Sequence, residues 1–157
     1  MSFEKGEIAR AFDAEEAEVR RRAVQELPRL GGEDAAALLM RGLGDSDWRV
    51  RKEAVQTAPR IAARDGVIRH LISALGNRND IGLRNAAVEA LIGIGREVVS
   101  YVVDSLRSLD EDGRKLAVET LAQLPDMAAI DALAKSLDDK DVNVQVAAAE
   151  ALGRAGL

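Results

Sequence analysis

Apolar residues return along this chain with a helical period, and the whole pattern then returns again. "EEAEVRRRAVQEL", "DSDWRVRKEAVQTA", "NDIGLRNAAVEAL", "LDEDGRKLAVETL" and "KDVNVQVAAAEAL" are five versions of one segment, in units starting near residues 15, 46, 79, 109 and 140. A polar column of Arg20, Arg51, Arg84, Arg114 and Gln145 tracks the register, with spacings of 31, 33, 30 and 31 residues. Beside it run Ala23, Ala54, Ala87, Ala117 and Ala148, then Val24, Val55, Val88, Val118 and Ala149. Leu27, Ala58, Leu91, Leu121 and Leu152 follow, and then Leu30, Ile61, Ile94, Leu124 and Ala155. Within one unit these places fall at i, i+1, i+4 and i+7, one face of an α-helix. The alanine in every copy predicts a point where a neighbouring helix comes close.

Four residues before the arginine column stands an acidic column: Glu16, Asp47, Asp80, Asp110 and Asp141. A short carboxylate accepts hydrogen bonds from the free N–H groups of a first turn and suits the positive end of the helix dipole. The column therefore predicts where each first helix begins, and an arginine one turn on can reach back to it. A second helix is expected in four units, over Asp34–Leu43, Gly66–Leu75, Glu97–Leu106 and Asp126–Leu137. Its stripe reads Leu43, Leu75, Leu106 and Leu137, with Leu39, Leu71, Val102 and Leu133 four residues earlier and Ala36, Ile68, Val99 and Ile130 seven earlier. Gly31-Gly32, Asp65-Gly66, Gly95 and Pro125-Asp126 are the expected breaks or caps between paired helices.

These patterns predict an all-α fold: a right-handed α-solenoid (an α-α superhelix) of about five helical hairpins, in one domain spanning 1–157. Residues 1–12 supply an N-terminal capping helix. The last unit is expected to be incomplete, because the chain stops after a first-type helix, and that uncapped helix could support self-association. Composition agrees: hydrophobic residues are 47%, aromatics only 3%, and Ala, Leu and Val carry the apolar content. The net charge of −5 counts against a nucleic-acid partner. With no cysteine there is no thiolate chemistry, and no apolar run is long enough for a bilayer. The N-terminus lacks a signal-peptide core, so a cytoplasmic location is expected.

The pattern acidic-x-x-(Val/Leu)-Arg-x-x-Ala-Val-x-x-Leu resembles HEAT-like repeats, in particular the short subtype named after phycobilisome lyases. "DSDWRVRKEAV", "DIGLRNAAVEALIGIG" and "DKDVNVQVAAAEALGRAG" carry the likeness, which extends from about Glu15 to Leu157. The period is shorter than the about 40–47 residues of longer HEAT and armadillo units. Each ladder arginine is expected to bond carboxylates or carbonyls at the inter-repeat turns, and the resemblance implies structural roles for the Asp47, Asp80, Asp110 and Asp141 caps and for the Arg20, Arg51, Arg84 and Arg114 ladder. It also implies that Pro28 and Pro59, at one repeat position, bend the ends of the first two such helices.

Candidate chemistry is sparse. Trp48 shares a column with Ile81 and Val142 and is expected to pack against the preceding repeat. His70 is the only histidine, with no nucleophile placed beside it by any motif, so no catalytic residue, metal or cofactor is expected. In HEAT-like stacks the second helices line the concave side. There Leu38, His70, Tyr101 and Ala132 form a half-apolar column flanked by Arg41, Ser73, Asp104 and Lys135 on one side and Arg69, Ser100 and Asp131 on the other. The partner-binding residues predicted from this strip are Leu38, Arg41, Arg69, His70, Ser73, Tyr101, Asp104, Asp131 and Lys135. The expected function is a non-enzymatic scaffold that binds a protein or peptide there. The rival readings are a domain of a larger enzyme or chromophore-lyase-like protein, and a structural or self-associating segment of a longer chain.

Overall fold

A computed structural model describes residues 3–30, 32–63 and 66–157. Among these residues there are ten α-helices and no strand. The first is α1 (Lys5–Ala11), and the rest alternate between two layers. One layer holds α2 (Ala17–Gln25), α4 (Trp48–Ile61), α6 (Ile81–Ile94), α8 (Glu111–Leu121) and α10 (Val142–Arg154). The other holds α3 (Gly32–Leu43), α5 (Val67–Leu75), α7 (Val99–Ser105) and α9 (Met127–Ser136). Short 3₁₀ turns at Leu27–Arg29 and Arg96–Val98 precede α3 and α7.

The acidic column starts every first-layer helix. Asp47 accepts from the N–H of Arg49, Asp80 from that of Leu83, Asp110 from that of Gly113, and Asp141 from those of Asn143 and Val144. Glu16 stands at the same place before α2 but makes no side-chain cap bond. Asp126 caps α9 through the Ala128 N–H. Between paired helices, Gly66 and Gly95 take φ values of 86° and 92°, which a side chain would oppose. Gly31 and Asp65, also expected at these breaks, lie outside the described residues.

One core cluster runs the length of the stack. Ala23, Ala54, Ala87, Ala117 and Ala148 are all fully buried, so the alanine column is its spine. The second-layer stripe is buried at Leu39, Leu71, Val102 and Leu133, whereas Leu137 ends α9 partly in solvent. First-layer helices pack in sequence, α2 on α4, α4 on α6 and α8 on α10, while α6 and α8 touch less. Pro28 does not bend its helix; α2 has ended at Gln25 and the proline sits in the following 3₁₀ turn. Pro59 lies inside α4, which continues to Ile61. The difference follows from position: Pro28 opens a new turn, where its missing N–H is not needed.

Candidate interaction faces

The arginine ladder does not pair with the cap carboxylates one turn back. Arg20 instead reaches forward to the next unit's turn, with Nε 2.7 Å from Asp45 Oδ2 and Nη2 2.9 Å from Asp45 Oδ1. Its Nη1 donates to the carbonyls of Ala14 and Glu15. Arg114 repeats the arrangement with Asp139, at 2.8 and 2.9 Å, and its Nη1 donates to Leu109 O. Each carboxylate also accepts the N–H of the cap two residues on, Asp47 or Asp141. Arg51 keeps only the carbonyl half, donating to Asp45 O and Ser46 O, and Gln145 donates to Asp139 O. The last unit is therefore tied to its turn by the same contact, although its ladder residue is not an arginine.

These are the inter-repeat-turn carboxylates and carbonyls expected for the ladder; the particular carboxylates, Asp45 and Asp139, stand two residues before the caps, and the repeat pattern does not single them out. Their signal is the acidic doublet two residues apart, Asp45/Asp47 and Asp139/Asp141. In the turn before α8 the corresponding residue is Ser108. Its N–H bonds the carbonyl three residues back, at 3.0 Å, as do those of Asp45 and Asp139. Arg84, whose partner it would be, makes no hydrogen bond among the described residues. Ser108→Asp is expected to complete this rung and raise the melting temperature by about 2–4 °C, the equivalent of about 1 kcal/mol. The gain should vanish in an Arg84→Gln background, as measured by calorimetry of the four proteins.

Both ladder carboxyls are held below the ordinary carboxylate range. Burial pushes Asp45 up, but the Arg20 guanidinium and the Asp47 N–H outweigh it. At Asp139 the Arg114 hydrogen bonds dominate, burial opposes, and the Asp141 N–H adds to the lowering. A depressed folded value means the stabilisation is complete above the unfolded value of about 4 and is lost as pH falls through the folded one. Thermal melts between pH 7 and 3 should show stability falling below about pH 4. Arg114→Ala should flatten part of that fall.

The second-layer face brings together only part of the predicted strip. Tyr101 on α7 is 43% exposed and lines a hollow of about 520 Å³ with Ile68, Arg69, Glu97 and Gly66. Asp104, Asp131 and Lys135 line a second hollow of about 400 Å³ between α7 and α9, together with Val103 and Arg107. His70 and Ser73 are exposed but line neither. The His70 Nδ1 lies 2.7 Å from Gly66 O. Because a carbonyl only accepts, the Nδ1–H donates in this contact. Arg41 is exposed, bonds Asp13 at 2.6 Å, and lies 5.6 Å from the centre of the Phe12 ring. Leu38 and Ala132 are buried. They belong to the core, not to a groove floor, because the repeat column fixes direction and not depth.

Trp48 does not pack on the preceding repeat. It is 61% exposed, and its column partners Ile81 and Val142 are 70% and 63% exposed. These residues open their helices, and the inward place is taken two residues later, by the fully buried Val50 and Val144. Among the described residues no cluster of three or more His, Asp or Glu could hold a metal ion, and no helix is long and apolar enough to cross a membrane.

Paired helices stacked on one shared core define an α-helical repeat solenoid. A profile of the family described as HEAT repeats matches residues 7–92 and 99–157, and the chain belongs to that family. Among solved structures it is similar to the MAST/Orbit N-terminal domain, at 17% identity and a TM-score of 0.55, covering 97% of this chain and 83% of that one. It is also similar to Cex1p, at 15% identity and a TM-score of 0.50, covering 96% of this chain and 34% of that one. A designed armadillo repeat protein matches at 22% identity and a TM-score of 0.38, over 93% of this chain and 79% of that one. At such identities the likeness concerns the fold alone. No curated protein matches the chain.

Proposed function

We propose that this chain is a non-enzymatic scaffold module that binds an extended segment of a protein along its second-layer face. The observation supporting this is the placement of Tyr101: half in solvent, in a hollow with Arg69 and Glu97, and next to a second hollow carrying Asp104, Asp131 and Lys135. An exposed aromatic ring inside a charged rim is the composition that partner surfaces favour. A segment crossing α5, α7 and α9 would set an acidic group against Arg69, an apolar side chain on Tyr101, and a basic group toward Asp104 and Asp131. The test is to capture the partner from the native cells, identify it, and measure its affinity for wild type and for Arg69→Glu/Tyr101→Ala. A large loss with an unchanged melting temperature supports the reading. Full affinity in the double variant puts the contact elsewhere.

A second reading, self-association, is favoured by α10. There Val142 and Val146, 63% and 51% exposed, and the exposed Ala149 fall at i, i+4 and i+7. Light scattering across a concentration series decides it: a monomer at every concentration removes it.

A further inference from the structure

The first-layer face carries a groove that the scaffold reading leaves without a role. It lies between α4 and α6, measures about 350 Å³, and takes Trp48, Arg51, Lys52 and Val55 from one helix and Gly82 and Glu89 from the other. Its floor is open because residue 82 has no side chain. Gly82 is not required by the backbone, since its φ is not positive. Nor is it required by crowding: a Cβ there would meet its nearest neighbours at 3.4 Å (Asp80 Oδ1) and 3.8 Å (Arg51 Cδ and Nε), ordinary contact distances. Glycine in a helix is nonetheless unfavourable relative to alanine. What it preserves here is the space beside Arg51.

The walls of that space are chemically specific. Trp48 presents most of its indole to solvent, and Val55 and Ala86 add apolar surface to the lining. An exposed aromatic ring grouped with apolar side chains in this way marks a contact surface. Two cations stand beside the ring with capacity to spare. Arg51 spends Nη1 on the carbonyls of Asp45 and Ser46, while its Nε and Nη2 make no hydrogen bond among the described residues. Lys52 makes no ion pair there either. Arg20, Arg21, Arg49, Arg78 and Arg114, by contrast, are held by carboxylates. Arg51 and Lys52 stand one helical turn after the exposed indole on α4, and both line the groove with it. Glu89, from α6, offsets one of the two cations, so the groove keeps a single net positive charge, which suits one carboxylate and not a polyphosphate strand.

We infer that the α4–α6 groove is a second docking site, for a peptide segment in which an apolar side chain neighbours an aspartate or glutamate. The apolar side chain rests on Trp48 and fills the space above Gly82, and its carboxylate neighbour bonds Arg51 and Lys52. This site is separate from the second-layer face and does not depend on it.

The test uses the full chain as bait in a peptide-display selection. Because Trp48 is the sole tryptophan, its fluorescence then reports binding of the synthesised winners directly. Enriched peptides should place Asp or Glu next to Leu, Ile or Phe and should shift the Trp48 emission. Lys52→Glu and Gly82→Leu should each weaken them about tenfold or more, while Tyr101→Ala leaves them unchanged. Gly82→Leu should melt no lower than wild type, which separates a filled groove from a lost fold. The inference is overturned if no acidic, apolar peptide is enriched, if Lys52→Glu and Gly82→Leu bind the winners as wild type does, or if a single-stranded oligonucleotide binds this groove more tightly than they do.

Discussion

Arg114→Ala will lower the melting temperature by on the order of 10 °C, corresponding to about 2–4 kcal/mol. The arginine is largely buried, and so is the Asp139 carboxylate that it holds through two parallel bonds. Truncating it leaves that carboxylate without its cation and frees the Leu109 carbonyl that Nη1 served. The loss is then the desolvation of an abandoned charge, not the modest net worth of an ion pair. Arg78 gives the control. It bonds Asp110 at 2.7 Å and Glu111 at 2.6 Å across the preceding junction, but its side chain is 55% exposed. Water can replace both contacts, so Arg78→Ala should cost no more than about 1 kcal/mol. Circular-dichroism melts of the two variants test whether burial or bond number governs the ladder. Equal losses would mean that the ladder does not pin the repeats.

The sequence made legible what is local to one helix. Four aspartates at a near-constant spacing located four helix starts to the residue, because an N-cap acts within its own first turn. The alanine column was legible because a buried face repeats every turn. What crosses a junction was legible only in part: the ladder was expected to bond at the inter-repeat turns, but not through which carboxylate. Asp45 and Asp139 lie 25 residues beyond their arginines, and only the rotation of one hairpin on the next brings them within reach. The expected place of bonding, the inter-repeat turn, was right, whereas the cap carboxylate one turn back, also within reach along the helix, is not the partner. Exposure was the other gap. A periodic apolar column says which way side chains point, not how far the neighbouring unit covers them. Trp48, Ile81 and Val142 point past the edge of their neighbours, while Leu38 is covered. Of the predicted strip, the structure groups Arg69 with Tyr101, and Asp104 with Asp131 and Lys135, because a hollow needs two adjacent helices and the column was read along single positions.

The close approach implied by the alanine column has a measurable consequence at Ala54. A Cβ placed on Gly42 of α3 would lie 3.1 Å from the Ala54 Cβ of α4 and 3.0 Å from Val24 Cγ2 of α2. Three helices therefore meet at this point with no room for another methyl group. Ala54→Leu adds three carbons to a fully buried position and must either part α3 from α4 or force strained rotamers. The expected loss is about 3 kcal/mol, at the upper end of overpacking costs, because backbone stands where relaxation would have to occur. Ala149→Leu makes the same chemical change on the same helical scaffold, but Ala149 is exposed on α10, and there the change should stay within about 0.5 kcal/mol. Urea unfolding should show the Ala54→Leu midpoint falling with an unchanged slope and the Ala149→Leu midpoint holding. An Ala54→Leu protein as stable as wild type would mean that neighbouring hairpins can slide apart at no cost, which the Gly42 contact distances forbid.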